Sequence, residues 1–131
     1  MNIEQIKITD NYAVINWMTP VILKKLKILA EEGNIKQLYW TKIWKRLRKV
    51  ILAYDHNECQ VCKSRGKHTT ATMIHHIKHL EYYLELGLSS TYIDGQGNEY
   101  RQLISLCDNC HTEIHLKPVA ESKLFISEER W

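Results

Sequence analysis

Two Cys-x-x-Cys pairs, Cys59/Cys62 in NECQVCKSRGK and Cys107/Cys110 in LISLCDNCH, constrain this chain more than any other feature. Four thiolates at that spacing make a closed tetrahedral Zn²⁺ site, a centre that pins a fold and keeps no open position for chemistry. Forty-four residues separate Cys62 from Cys107. That is too long for a simple finger, so a functional unit is expected between the two knuckles. Disulfides, the competing use of cysteine, need an oxidising compartment. The N-terminus MNIEQIKITD lacks the basic-then-apolar layout of a secretory signal, and no apolar run nears the ~18 residues of a membrane span. The expectation is a cytoplasmic chain, away from membranes, with reduced thiols around a structural zinc.

A chain of 131 residues, 44% hydrophobic and 25% charged, has room for about one soluble globular domain. Its net charge of +3 is unevenly spread: residues 1–54 hold ten Lys/Arg against four Asp/Glu, and the remainder eight against eleven. KIWKRLRK, Lys42 to Lys49, is the densest basic block, and a face of this kind can bind phosphate or simply be solvated.

Helix signals frame that block. Thr19 suits an N-cap, Pro20 the first helical position and Gly33 the C-terminal stop, with Leu23, Leu26 and Ala30 on one face. A second helix is predicted from Thr41, with Ile43, Trp44, Leu47, Val50, Ile51 and Tyr54 inward and Lys42, Lys45, Arg46 and Lys49 outward. Trp40 and Trp44 read as packing residues. Residues 3–17 could hold a short strand. TATMIHHIKHL reads as a strand from its β-branched content, EYYLELGL as a helical turn, TYIDGQGNEY as an irregular hairpin and LISLC as a second short strand. Asp108 is placed to cap a last helix through about His115, which Pro118 stops.

The histidines exceed what the sulfur site can use. His111 and His115, four apart, share one face of a helix and can chelate one ion. With the doublet His75-His76 on the preceding strand they offer three ligands and an open position, the pattern of a catalytic metal site. Neighbours on a regular strand point to opposite faces. Both His75 and His76 reach one site only if the strand twists or ends there; otherwise one of them is packed or solvent-facing. His56 and His68 read as surface residues, and His79, Lys78 and Arg101 as surface groups near the site.

Taken together, LYWTKIWKRLRKVILAYDHNECQVC, MIHHI and LISLCDNCHTEIH resemble an HNH endonuclease of the ββα-metal type, most closely the zinc-knuckle kind encoded by phages. The resemblance runs from about Leu38 to Leu116. It implies an α+β fold: a small ββα-metal core with a four-cysteine zinc knuckle (Cys59, Cys62, Cys107 and Cys110) and N-terminal helices. The implied division is an extension at 1–37, the nuclease domain at 38–117 and a tail at 118–131. It places the general base on His76 and the ligands of a catalytic divalent metal on His75, His111 and His115. The middle Asn of the motif, five residues before the first cysteine of LCxxC, falls on Gln102, with Asn98 as the other candidate. The implied reaction is hydrolysis of DNA to 5′-phosphate and 3′-hydroxyl ends, with Zn²⁺, Ni²⁺, Mn²⁺ or Mg²⁺ at the imidazoles. Phosphate contacts fall on Lys42, Lys45, Arg46 and Lys49. The implied partner besides DNA is a phage terminase, with the host cytoplasm as the setting. A zinc-stabilised binding module without catalysis stays open as the other reading.

Overall fold

Thr19 and Thr41 each start a helix in the way their sequence position suggests. The computed structural model describes residues 3–9 and 11–115, apart from the side chains of Glu4 and His115. In it Thr19 Oγ1 accepts from the Ile22 amide at 3.1 Å and α1 runs Pro20–Glu31. Gly33 ends the helix with φ of 74°, a left-handed conformation costly for residues with a Cβ. Thr41 Oγ1 accepts from the Trp44 amide at 3.2 Å and opens α2, Lys42–Tyr54. Trp44, Leu47 and Ile51 of α2 are all buried, each worth ~1.5–3 kcal/mol of transfer free energy.

Between the helices and the sulfur region lie two small antiparallel sheets. In one, β1 (Met73–His76) pairs with β4 (Leu103–Leu106), with Met73 opposite Leu106 and His76 opposite Leu103. In the other, β2 (Thr91–Ile93) pairs with β3 (Glu99–Arg101). The Asp94 carboxylate shapes the β2–β3 bend by accepting from the amides of Gln96 and Asn98, both at 2.9 Å. A short α3, Gln60–Ser64, follows Cys59, and α4, Asp108–His115, follows Cys107. EYYLELGL contributes a single 3-10 turn, Leu84–Leu86. The tail at 118–131 and the Pro118 stop lie outside the described residues.

The two-residue period of the β1–β4 sheet divides the core. Ile74 and Leu103 join Tyr12, Leu26, Leu38, Trp44, Leu47 and Ile51 in one cluster; Met73, Ile77, Ile104 and Leu106 join the cysteines and Val61 in the other. Tyr12 and Leu26 belong to the first cluster, so α1 and the segment before it share a core with α2 and the sheet.

Two expectations are corrected. The described residues of 3–17 form no strand; after a 3-10 turn at Ile3–Gln5 they make isolated bridges at Lys7–Tyr100 and Asn16–Ser89, the Ser90 amide donating to the Ile15 carbonyl at 2.8 Å. Of the two tryptophans expected in the core or on its flank, Trp44 is buried and Trp40 is 59% exposed. Arg101 is not surface charge: it is buried and forms a bidentate pair with Asp55, at 3.0 and 2.7 Å. Its guanidinium lies 4.6 Å from the ring centre of Tyr12 and 5.4 Å from that of Tyr54. Burial alone would lower the guanidinium's pKa, but the hydrogen bonds and charge of Asp55 outweigh it and hold the pKa above its ordinary value. Burial likewise pushes the Tyr12 hydroxyl up to about 12.

Candidate active site

Each Cys-x-x-Cys begins a helix, and its first sulfur takes the capping position. The Cys62 amide donates to Cys59 Sγ ahead of α3, and the Cys110 amide to Cys107 Sγ ahead of α4, both at 3.5 Å. The cap of α4 therefore falls on Cys107, and Asp108, expected there, is the first residue of the helix. This shared geometry turns both knuckles toward one point: the four sulfurs lie within 4.8 Å of one another. Cys62 Sγ is 3.5 Å from Cys110 Sγ and 3.9 Å from Cys107 Sγ. Four thiolates on a tetrahedral ion with Zn–S near 2.3 Å have sulfurs roughly 3.8 Å apart, so the cluster fits a structural Zn²⁺. Burial raises the thiols of Cys59 and Cys110, whereas a hydrogen bond with Thr69 helps bring Cys62 down to about 7.

On the same face of β1, His75 meets α4. Its ring centre is 5.3 Å from that of His111 at an interplanar angle of 71°, and both rings are buried. Two imidazoles on one tetrahedral ion, with metal–nitrogen bonds near 2.1 Å, have ring centres roughly 5 Å apart. The separation thus matches two ligands of a shared cation. His115 stands one turn further along α4; its side chain is outside what the structure describes. His79, read from the sequence as a surface group, is half-buried, its ring centre 6.2 Å from that of His75 and edge-on to it. β1 ends at His76 and the chain turns back, which brings the fourth residue after His75 near it again. Among the described residues the sulfur cluster is the one group of three or more ligand side chains within 4.8 Å.

His76 takes the opposite face, as a regular strand requires. Its ring stacks on Trp44, centres 5.0 Å apart at 19°, with the Tyr39 ring 5.9 Å away. It has no solvent exposure. Nε2 is 3.1 Å from the Gly87 carbonyl and Nδ1 is 3.4 Å from the Tyr39 hydroxyl. A carbonyl can only accept, so the network assigns the proton to Nε2 and leaves Nδ1 to accept from Tyr39, a long and weak contact. Gly87 is itself closely packed: a Cβ there would meet Leu80 Cδ1 at 2.9 Å and the Leu84 carbonyl at 3.2 Å.

Gln102 closes the loop that leaves β1. Its Oε1 accepts from the Lys78 amide at 2.9 Å and its Nε2 donates to the Lys78 carbonyl at 2.8 Å. Its backbone carbonyl accepts from the Ile77 amide at 2.7 Å, and its own amide donates to the Ser90 carbonyl at 2.9 Å. Asn98, the other candidate for the middle position, is exposed in the β2–β3 bend with its side chain toward Asp94 at 3.4 Å.

The basic side of α2 is not an even stripe. A cavity of about 340 Å³ is lined by Tyr39, Trp44, Lys45, Arg48 and Lys49. Arg48, absent from the sequence-based set, stands beside Lys45 and Lys49 and donates from Nη2 to the Thr72 carbonyl at 2.9 Å. Lys42 and Arg46 share the helix but do not line this cavity. Like charges three and four apart on a helix repel, and none of these three cations forms an ion pair with a described residue. The arrangement suits an anion.

Residues 59–117 match the family described as HNH endonuclease. Among solved structures, the chain is similar to the HNH endonuclease of deep-sea thermophilic bacteriophage GVE2, crystallised with manganese ion. Identity is 27%, the match covers 74% of this chain and 89% of that chain, and the TM-score is 0.49. Comparison with curated proteins gave no match.

Proposed function

We propose, from the match of residues 59–117 to the HNH endonuclease family, that the chain hydrolyses DNA phosphodiesters with a divalent cation, leaving 5′-phosphate and 3′-hydroxyl ends. The observation that carries the reading is the His75–His111 pair, its ring centres 5.3 Å apart. His75 and His111 would hold the cation, with His115, four residues after His111 in the sequence, assigned as the third ligand on the resemblance. Imidazole ligands favour Zn²⁺, Ni²⁺ or Mn²⁺ over Mg²⁺. When bound, a cation there would supply positive charge to the phosphate and the departing 3′-oxygen.

His76 is the proton acceptor in this reading, with Nδ1 as the accepting nitrogen because Nε2 is committed to the Gly87 carbonyl. The Tyr39 hydroxyl now at Nδ1 must yield to the attacking water, and its 3.4 Å contact is weak enough to do so. Gln102 fixes the loop that leaves β1 after His76. Lys45, Arg48 and Lys49, with Lys42 and Arg46 flanking them on α2, take DNA phosphates without reading sequence. Residues 1–37 extend the 38–117 unit by completing its core. On the resemblance to phage-encoded proteins, the setting is phage DNA packaging in the host cytoplasm beside a terminase.

Cleavage of supercoiled plasmid in each of the four metals tests this. His76→Ala should lose at least ~100-fold in rate, the lower range for removing a positioned base, and His111→Ala should lose cleavage along with a metal ligand. Cleavage by His111→Ala at the wild-type rate would remove the His75–His111 pair from the mechanism, and no cleavage by wild type in any metal would leave a zinc-stabilised DNA-binding module.

A further inference from the structure

A second cleft lies along the loop that Gln102 closes. It has a volume of about 380 Å³, and its walls include Lys78, Tyr83, Glu85, Tyr92, Ile93 and Asp94. That volume is within the ~300–1,000 Å³ typical of small-ligand sites. Lys78 is fixed at both ends. Its backbone is held by the Gln102 amide, and its ammonium lies 5.0 Å from the ring centre of Tyr92 and 5.8 Å from that of Tyr83. Tyr83 and Ile93 remain 40% and 65% exposed. The Asp94 carboxylate is engaged by its own bend, where the Asn98 and Gln96 amides hold its pKa below the usual range. Glu85 is exposed and offers an acceptor.

One cation set among two carboxylates is a poor cradle for a phosphate. An open aromatic face, a fixed donor and an acceptor at the rim suit the flat ring and polar edge of a nucleobase. Lys78 is three residues beyond His75, at most about 10 Å along the chain, or roughly three nucleotide steps at ~3.4 Å each. We propose that this cleft is a nucleobase subsite, taking a base of the bound strand within a few nucleotides of the cut. The base ring lies on Tyr83, its amine edge (cytosine, adenine or guanine) faces Glu85, and Lys78 donates to a ring acceptor. The proposal rests on the DNA-cleavage reading and adds to it a source of base preference, which a phosphate-binding helix cannot supply.

The test uses the full zinc-loaded chain and a fluorescein-labelled 20-base-pair duplex, with a single abasic site walked through every position. Affinity is read by anisotropy without added cation. Tyr83→Ala should weaken binding to intact DNA about tenfold, the size of one lost base stack, and Tyr83→Phe should not. On duplexes abasic at the subsite position, wild type and Tyr83→Ala should bind alike. Lys78→Met, which spares both rings, should show a smaller loss confined to the same position and covers the case in which Tyr83→Ala unfolds. Lys45→Ala should weaken every duplex by one common factor. If Tyr83→Ala and Lys78→Met bind as wild type, or weaken every abasic duplex equally, the subsite is refuted while the nuclease reading stands. If wild type neither binds nor cleaves DNA, the nuclease reading and the subsite fall together.

Discussion

Truncating Gln102 to Ala should destabilise the protein by about 2–4 kcal/mol. Its amide makes two hydrogen bonds to the backbone of one residue, accepting from the Lys78 amide at 2.9 Å and donating to the Lys78 carbonyl at 2.8 Å, in a side chain with no solvent exposure. A net ~1 kcal/mol per hydrogen bond gives about 2 kcal/mol, and any backbone group left dry adds ~1–3 more. Lys78 is only half-buried, so water can reach part of its peptide and the total stays near the lower end. Gln102→Asn separates geometry from chemistry: the same amide on a stem about 1.5 Å shorter cannot meet both groups, so it should lose nearly as much. Gln102→Glu gives the sharpest reading. An ionised carboxylate can still accept from the Lys78 amide, but its second oxygen faces the Lys78 carbonyl, whereas the protonated acid can donate to it. The folded state therefore raises that carboxyl's pKa. A raised folded-state pKa means that the stabilisation is present at low pH and lost as pH rises through it. Gln102→Glu should accordingly lie closer to wild type in acid than at neutral pH, each pH compared with wild type. Urea unfolding measures this through the midpoint at constant m value, with amide exchange at Ile77 and Lys78 locating the loosening. Variants within about 0.5 kcal/mol of wild type, or a Gln102→Glu deficit independent of pH, would show that the amide does not hold this loop.

Asp55→Ala should cost about 3–5 kcal/mol by leaving the Arg101 guanidinium buried without its carboxylate; it also removes the acceptor of the Ser105 amide, at 3.2 Å. The double variant Asp55→Leu/Arg101→Leu should melt nearer to wild type than Asp55→Ala does, and additive losses in that cycle would contradict a buried pair. Stripping metal with a chelator should release one zinc per chain and lower the melting temperature by more than ~10 °C, because metal affinity at a thiolate site is folding free energy. His111→Ala should keep that zinc and Cys62→Ser should lose it. A chelator-insensitive melt with no zinc released would leave the four sulfurs without their ion.

Local signals were legible and long-range partnerships were not. The Thr19-Pro20 start, the Gly33 stop and the inward spacing of Trp44, Leu47 and Ile51 depend on neighbours within one or two turns, and each appears in the structure. The convergence of Cys59, Cys62, Cys107 and Cys110 could be read because a thiolate site has few other ways to use that spacing. Arg101 misled because its partner, Asp55, is 46 residues away and only the β3–β4 corner brings them together. Trp40 and Trp44 look equivalent in sequence, yet one sits in the turn before Thr41 and the other on the inward face of α2. His79 reads as a surface group because the β-branched run TATMIHHIKHL predicts a strand that continues through it. The strand stops at His76, and the turn that follows is fixed by Gln102, a partner 24 residues later than Lys78.

The doublet His75-His76 shows what strand geometry does to adjacent groups. Each residue joins the side its parity dictates: His75 opposite Ile104 toward the sulfur-side cluster and α4, His76 opposite Leu103 toward Trp44 and α2. Two imidazoles about 3.8 Å apart along the backbone are thereby kept from competing for one ion. A histidine on a metal has a ring nitrogen taken by the cation, and a histidine serving as base must keep one free and neutral. Adjacency on a strand supplies that separation without a second element. It has a consequence for any proton transfer by His76: water and phosphate must reach it around the end of β1, since the sheet lies between the two rings. The strand ends at His76 itself, and the loop beyond it is the one clamped by Gln102. Loosening that clamp should therefore weaken cleavage more than it weakens either metal binding at His75 and His111 or phosphate binding on α2.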